Sequence, residues 1–166
     1  MQGMEIVHFK GRETMNHSEF PNMLKDRTTY KFWVKDRVRF NDLDALGHVS
    51  SVRMNEYFAG VRTHLFRQAI KDWFASEQLP VIKLSIVQHE REIEFPADLD
   101  VGLVVEKFGN SSVTLATALF DAVDCLALCR TVLVFIDAKM RLPTPPSDLI
   151  KQNFLRLAGQ THCHAG

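Results

Sequence analysis

No run of apolar residues in this chain approaches the ~18 needed to cross a bilayer, and the most hydrophobic stretch, CLALCRTVLVFI, is interrupted by Arg130. The opening segment MQGMEIVHFKGRE lacks the apolar core of a secretory signal, so a soluble, cytoplasmic protein is the expectation. Neither charge is in excess. Lys plus Arg and Asp plus Glu number 20 each, which leaves no basic footprint for nucleic acid or an anionic membrane and favours a small ligand or a second copy of the chain as partner. The three cysteines, Cys125, Cys129 and Cys163, are odd in number, so reduced thiols rather than a disulfide framework are expected.

Several site signatures are also missing. GxSxG does not occur: Gly109 is followed two residues later by Ser111, but then by Val113, which argues against a serine hydrolase. DLDALG opens like a calcium loop, yet Leu46 occupies a ligand position and Arg53 stands where the bidentate glutamate belongs. The remaining metal candidate joins Cys125 and Cys129 to His162, Cys163 and His164 in a tail expected to be unstructured, so no metal is expected.

What the chain does have is enough apolar residue, 46% of 166, for one domain with a sizeable core. Residues 1–29 show no sustained period and predict a loose arm or short lid; residues 143–166 predict a tail with a short helical piece. Between them, residues 30–142 form the domain. Val34, Val38 and Phe40 alternate with Lys35, Arg37 and Arg39 as in a half-buried strand. Apolar residues then recur at steps of three and four from Met54 to Ile70, predicting a helix over about 52–75, with Gly60 packed closely on a sheet. Strand-like segments follow at 81–95, 101–108, 111–121 and 126–136, joined by short turns, and the apolar face switches between Ile86 and Val87 as at a bulge. The plan is α+β: a curled five-stranded antiparallel sheet wrapped around one long central helix.

The loop between first strand and helix, in FNDLDALGHVSSVRMNEY, is where chemistry is expected. It sets Asp42, Asp44 and His48 beside the unpaired N–H groups of a helix start, so a base and an oxyanion-stabilising dipole lie within a few residues. Both aspartates also suit Asx turns or caps, and His48 suits simple packing.

Strand, DxDxxGHV loop, long helix and four strands, in that order over residues 30–142, resemble the hot-dog-fold thioesterases of the 4-hydroxybenzoyl-coenzyme A thioesterase type. The resemblance is most specific from Asp42 to Val49, with Arg39 before and Tyr57 and Arg62 after. It implies that Asp44 is the catalytic carboxylate, as general base or nucleophile, with His48 in support and Asp42 as a loop brace. It implies backbone amides from Gly47 through Val49, Ser50 and Ser51 as oxyanion donors, Tyr57 closing the acyl pocket, and Arg62 tying the helix to a carboxylate. The hairpin GNSS resembles the family's turn beside the pantetheine arm, making Ser111 and Ser112 ligand candidates, though it also reads as a plain tight turn. Arg141 is a candidate for the coenzyme A phosphates or an ordinary solvated charge. The implied substrate is an acyl-coenzyme A or acyl-carrier-protein thioester, hydrolysed without a further cofactor.

This chain departs from the family where Ser50 and Ser51 replace Asn-Asn, Met54 replaces a tyrosine and Ala59 replaces a glutamate. Two other activities belong to such folds. An enoyl-thioester hydratase or dehydratase uses an Asn-Pro-containing loop that is missing here, and a non-catalytic acyl-coenzyme A sensor usually carries a DNA-binding appendage, for which residues 1–29 show neither basic excess nor helical period. Exposed sheet edges favour pairing, so a homodimer or a tetramer joined through the first strand or the one next to it is expected.

Overall fold

The computed structural model describes residues 20–161. Its seven main elements are β1 (Phe32–Arg37), α1 (Ser51–Ala69), β2 (Gln78–His89), β3 (Asp98–Phe108), β4 (Ser112–Phe120), β5 (Cys125–Asp137) and α2 (Asp148–Ala158). The strands form one antiparallel sheet in the order β1-β3-β4-β5-β2. This is the α+β hot-dog plan, with the sheet curled about α1.

Met54, Tyr57, Phe58, Val61, Leu65, Phe66 and Ala69 are the buried stripe of α1, and their spacing of three and four residues turns them onto the sheet. Ser50 caps the helix, its hydroxyl accepting the Arg53 amide at 3.3 Å. The helix ends at Ala69, short of the 75 expected, because Asp72 turns left-handed (φ 47°) and Trp73–Ala75 form a separate 3-10 turn. Gly60 does not pack on the sheet: a methyl group there would meet nothing within 4 Å. Nor does Arg62 reach a carboxylate among the described residues. It is buried and donates to Thr131 Oγ1 at 3.3 Å, and burial lowers its pKa.

β1 lies two to three residues earlier than its alternation predicts. After Arg39 the chain enters a 3-10 turn, Phe40–Asp42, which throws Phe40 out to 76% exposure instead of into the inner row. The bulge in β2 falls at Lys83, between Ile82 and Leu84, rather than at Ile86. β2 stops at His89, and residues 90–97 leave the sheet to run beside the DxDxxGHV loop: Val49 N–H donates to Ile93 O at 2.8 Å, and His48 and Glu94 form an isolated bridge.

α2 is part of the main core. Phe154, fully buried, packs against the rings of Phe66, Phe108 and Phe135. A second apolar cluster lies on the convex face of the sheet, beneath Phe20, Leu24 and Tyr30, so the described part of the N-terminal arm is packed down in two 3-10 turns. Residues 1–19 and the His162, Cys163, His164 cluster lie outside the described residues.

Candidate active site

The loop between β1 and α1 is closed at its base by one carboxylate. Asp42, 4% exposed, accepts the Arg39 amide at 2.7 Å and the Tyr57 hydroxyl at 2.5 Å on the same oxygen, and its carbonyl accepts the Ser50 amide at 3.0 Å. Three chain segments, the end of β1, the loop exit and the second turn of α1, are thereby fixed to one residue. Burial raises the Asp42 carboxyl, but the Tyr57 hydroxyl, the Arg39 amide and the charges of Arg39 and Arg53 outweigh it and hold the group below its ordinary value. Tyr57 is pushed up, by burial first and by the Asp42 bond second.

Above that base the loop is a small hairpin. Leu43 bridges Val49, Asp44 N–H donates to His48 O at 2.8 Å, and Gly47 N–H donates to Asp44 O at 3.1 Å. The turn needs Gly47, whose φ of +84° lies in the left-handed region. Asp44 is exposed at the tip. Its Oδ1 accepts the Leu46 amide at 2.8 Å and lies 3.4 Å from the His48 amide, an Asx-type turn, and its Oδ2 meets no donor among the described residues. One oxygen fixes the carboxylate while the other remains open to a ligand.

Asp44 and His48 share an open cleft of about 380 Å³ whose other walls include Met54, His89 and Ile93. His48 Nε2 stands 3.3 Å from Glu92, a mostly exposed carboxylate that sequence reasoning did not single out, since 44 residues separate the two and no local pattern joins them. A larger hollow of about 750 Å³ follows β1 and β3 and lies apart from Asp44; its Asp98 and Asp100 are paired with Arg37 and Arg27.

The proposed oxyanion donors narrow. The amides of Gly47, Val49 and Ser50 are bonded to Asp44, Ile93 and Asp42 carbonyls. Ser51 and Val52 carry the helix-start amides that have no partner within the helix. Tyr57 does not line the cleft; it sits 3% exposed beneath the loop, bonded to Asp42. Ser111, Ser112 and Arg141 lie toward one end of the sheet, away from Asp44. Ser111 and Ser112 lie at the β3–β4 turn, where Ser111 O accepts the Phe135 amide at 2.8 Å, and Arg141 N–H donates to Asp137 O at the end of β5. Nine residues of β4, ~30 Å of strand, separate that end of the sheet from the end that carries the loop. Among the described residues no group of three or more His, Cys, Asp or Glu side chains could hold a metal ion, and no helix is long and apolar enough to cross a membrane.

Residues 38–154 match the model of the thioesterase-like superfamily, and the chain belongs to that family. Solved structures agree. A Pseudomonas aeruginosa protein is 26% identical, with 83% of this chain and 97% of that one covered at a TM-score of 0.74. A Thermus thermophilus thioesterase, solved with coenzyme A and zinc, is 25% identical, with 78% and 95% covered at 0.70. A thioesterase-superfamily protein from a Jannaschia species is 25% identical, with 76% and 82% covered at 0.69. No curated protein matches the chain.

Proposed function

We propose that this protein is an acyl-coenzyme A thioesterase of the 4-hydroxybenzoyl type, or its acyl-carrier-protein counterpart, with Asp44 as general base or nucleophile. The observation that carries the reading is the Asp44 carboxylate: tethered through Oδ1, open at Oδ2, exposed, and in the loop that delivers the chain to the start of α1. As base, Asp44 takes a proton from water as the oxygen adds to the thioester carbon. The carbonyl oxygen gains charge beside the helix start, the C–S bond then breaks, and the departing thiolate takes a proton. As nucleophile, Asp44 displaces the thiolate to form an acyl anhydride that water opens. The first route leaves the oxygens of Asp44 untouched; the second places an oxygen of labelled water in Asp44 when water opens the anhydride at the Asp44 carbonyl. The family membership and the coenzyme A bound by the Thermus relative support the substrate class.

The sheet edges support an assembly of two copies. β1 and β2 are the two edges, and β2 is the longer, with Ile82 and Leu84 exposed on it at 57% and 48%. Two copies pairing antiparallel along β2 would set the loop end of one sheet beside the turn end of the other. That arrangement would carry Ser111, Ser112 and Arg141 of the second copy toward Asp44 of the first, where a single copy keeps them apart. The deciding experiment is a panel of acyl-coenzyme A thioesters with free-thiol detection, run on the wild type and on Asp44→Asn. Thiol release that the substitution abolishes supports the reading; binding without thiol release from any thioester would replace it with a sensor.

A further inference from the structure

Arg62 is 6% exposed, yet the described residues give it one hydrogen bond to oxygen, at Thr131 Oγ1, and no carboxylate. An arginine keeps its charge inside a fold, so a buried guanidinium without an anion is costly. Burial pulls its pKa down, and the neighbouring Cys129 sulfur is what opposes that. Polar atoms mark a way out of the core: Cys129 Sγ lies 3.5 Å from Thr131 Oγ1 and 3.3 Å from Ser85 Oγ, and Ser85 is exposed on β2. Thr161 Oγ1 is the one buried side-chain polar atom among the described residues that lacks a partner, so the guanidinium nitrogens that lack one still touch solvent. The placement is aligned with the Asp44 cleft. Arg62 follows Ser51 by 11 residues, so both stand on one face of α1 about 16 Å apart along its axis, and a helical side chain leans back toward the N-terminus. β2 provides a second ruler. His89 walls the Asp44 cleft, and Val87 and Ser85 share its face of the strand, with Ser85 about 13 Å further along. Asn55 and Ala59 on the helix and Ser85 and His89 on the strand are all exposed, so α1 leaves the inner face of β2 uncovered between the cleft and the guanidinium.

We propose that Arg62 determines acyl specificity: its guanidinium receives the distal carboxylate of a dicarboxylic acyl thioester whose reacting carbonyl lies at Asp44. The inference rests on the hydrolytic reading for its substrate class and extends that reading to the far end of the acyl group. A guanidinium matches a carboxylate through two parallel N–H bonds, and such a pair would supply the anion that the fold withholds. A neutral chain end would leave the charge unpaired, so discrimination against it follows from the same cost. An acetyl group cannot span the interval. A medium-chain group reaches across it, past Met54, Ala59 and Val87. The anion does not come from a paired edge strand, because β2, QLPVIKLSIVQH, contains no Asp or Glu for a second copy to offer.

The test uses the full chain with decanedioyl- and decanoyl-coenzyme A, which differ only at the end remote from the thioester. Thiol release by the wild type should favour the dicarboxylic thioester in kcat/KM by at least ~10-fold, and Arg62→Met, which keeps the stem without the charge, should bring that ratio to one or below. Arg62→Lys should keep part of the preference. Equal kcat/KM for the two thioesters in the wild type overturns the proposal, as does a preference that survives Arg62→Met. A lower sedimentation mass for Arg62→Met would assign the guanidinium to a boundary between copies and overturn it too. Should the variant fail to fold, calorimetric titration of the wild type with decanedioate and decanoate decides: decanedioate should bind at least ~10-fold more tightly, and equal affinities overturn the proposal. The free acids need no turnover. Selective decanedioate binding without thiol release from any thioester would therefore reject the hydrolytic reading and keep the Arg62 site, whereas equal hydrolysis of both thioesters would do the reverse.

Discussion

Tyr57 donates its hydroxyl to Asp42 at 2.5 Å, joining the second turn of α1 to the base of the loop that presents Asp44. A hydrogen bond to a buried carboxylate is among the stronger single contacts in a fold. Tyr57→Phe removes it with almost no change in volume and should lower stability by about 1.5–3 kcal/mol, read as a shift of the urea midpoint at constant slope. An unchanged midpoint would show that the loop is anchored elsewhere.

Asp42 also predicts an acid limb. Its carboxyl is depressed in the folded state, so the stability it contributes is fully present above the unfolded value of about 3.9 and is lost as pH falls through the lower folded value. Urea titrations at falling pH should show the wild type losing stability below about pH 4, and Asp42→Asn should lose less over the same window. Parallel losses in the two proteins would remove Asp42 from the account.

Asp44→Asn retains an oxygen to accept the Leu46 and His48 amides, so the turn should survive. Turnover should nevertheless fall by a factor on the order of a hundred or more, with the affinity for substrate little altered. Thiol-release kinetics decide it, and near wild-type turnover would reject the assignment.

Glu92 makes a contrasting case. Its carboxylate is 75% exposed beside His48, and exposed pairs of this kind contribute about 0–1 kcal/mol. Glu92→Gln should therefore leave the melting temperature within about two degrees of the wild type. A larger drop would mean that the pair holds the cleft wall in place.

Pairing along β2 predicts that Ile82→Lys with Leu84→Lys yields a smaller species than the wild type in sedimentation, because both substitutions add charge to exposed edge positions without touching the core. An unchanged mass would shift the pairing away from this edge.

The antiparallel sheet and central helix were legible because β alternation and the helical stripe of Met54 to Ala69 are local signals. The helix end was not, since Trp73 prolongs the apolar period while the backbone at Asp72 has already turned left-handed. Gly60 misled for a related reason: a glycine in a helix signals a close neighbour only when one is present, and here its outward side is open. The packing of the N-terminal arm left no trace because Phe20, Leu24 and Tyr30 lie in and around short 3-10 turns with no helical or strand period, and their burial comes from a distant sheet face. At the candidate site the contiguous loop could be read directly, with Asp42, Asp44 and His48 all in it; that Asp42 is buried and Asp44 exposed came from the fold. The opposite wall, His89 and Glu92, could not be read, because only the fold brings the end of β2 back to the loop.

The loop clamped at Asp42 resembles an interchangeable tool tip on a fixed handle. Ala45 and Leu46, the latter 80% exposed, project from a turn whose attachment depends on neither side chain. Sequence drift at these two positions can therefore reshape what approaches the carboxylate while leaving the carboxylate where it is, so that related chains can diverge in ligand preference one surface residue at a time.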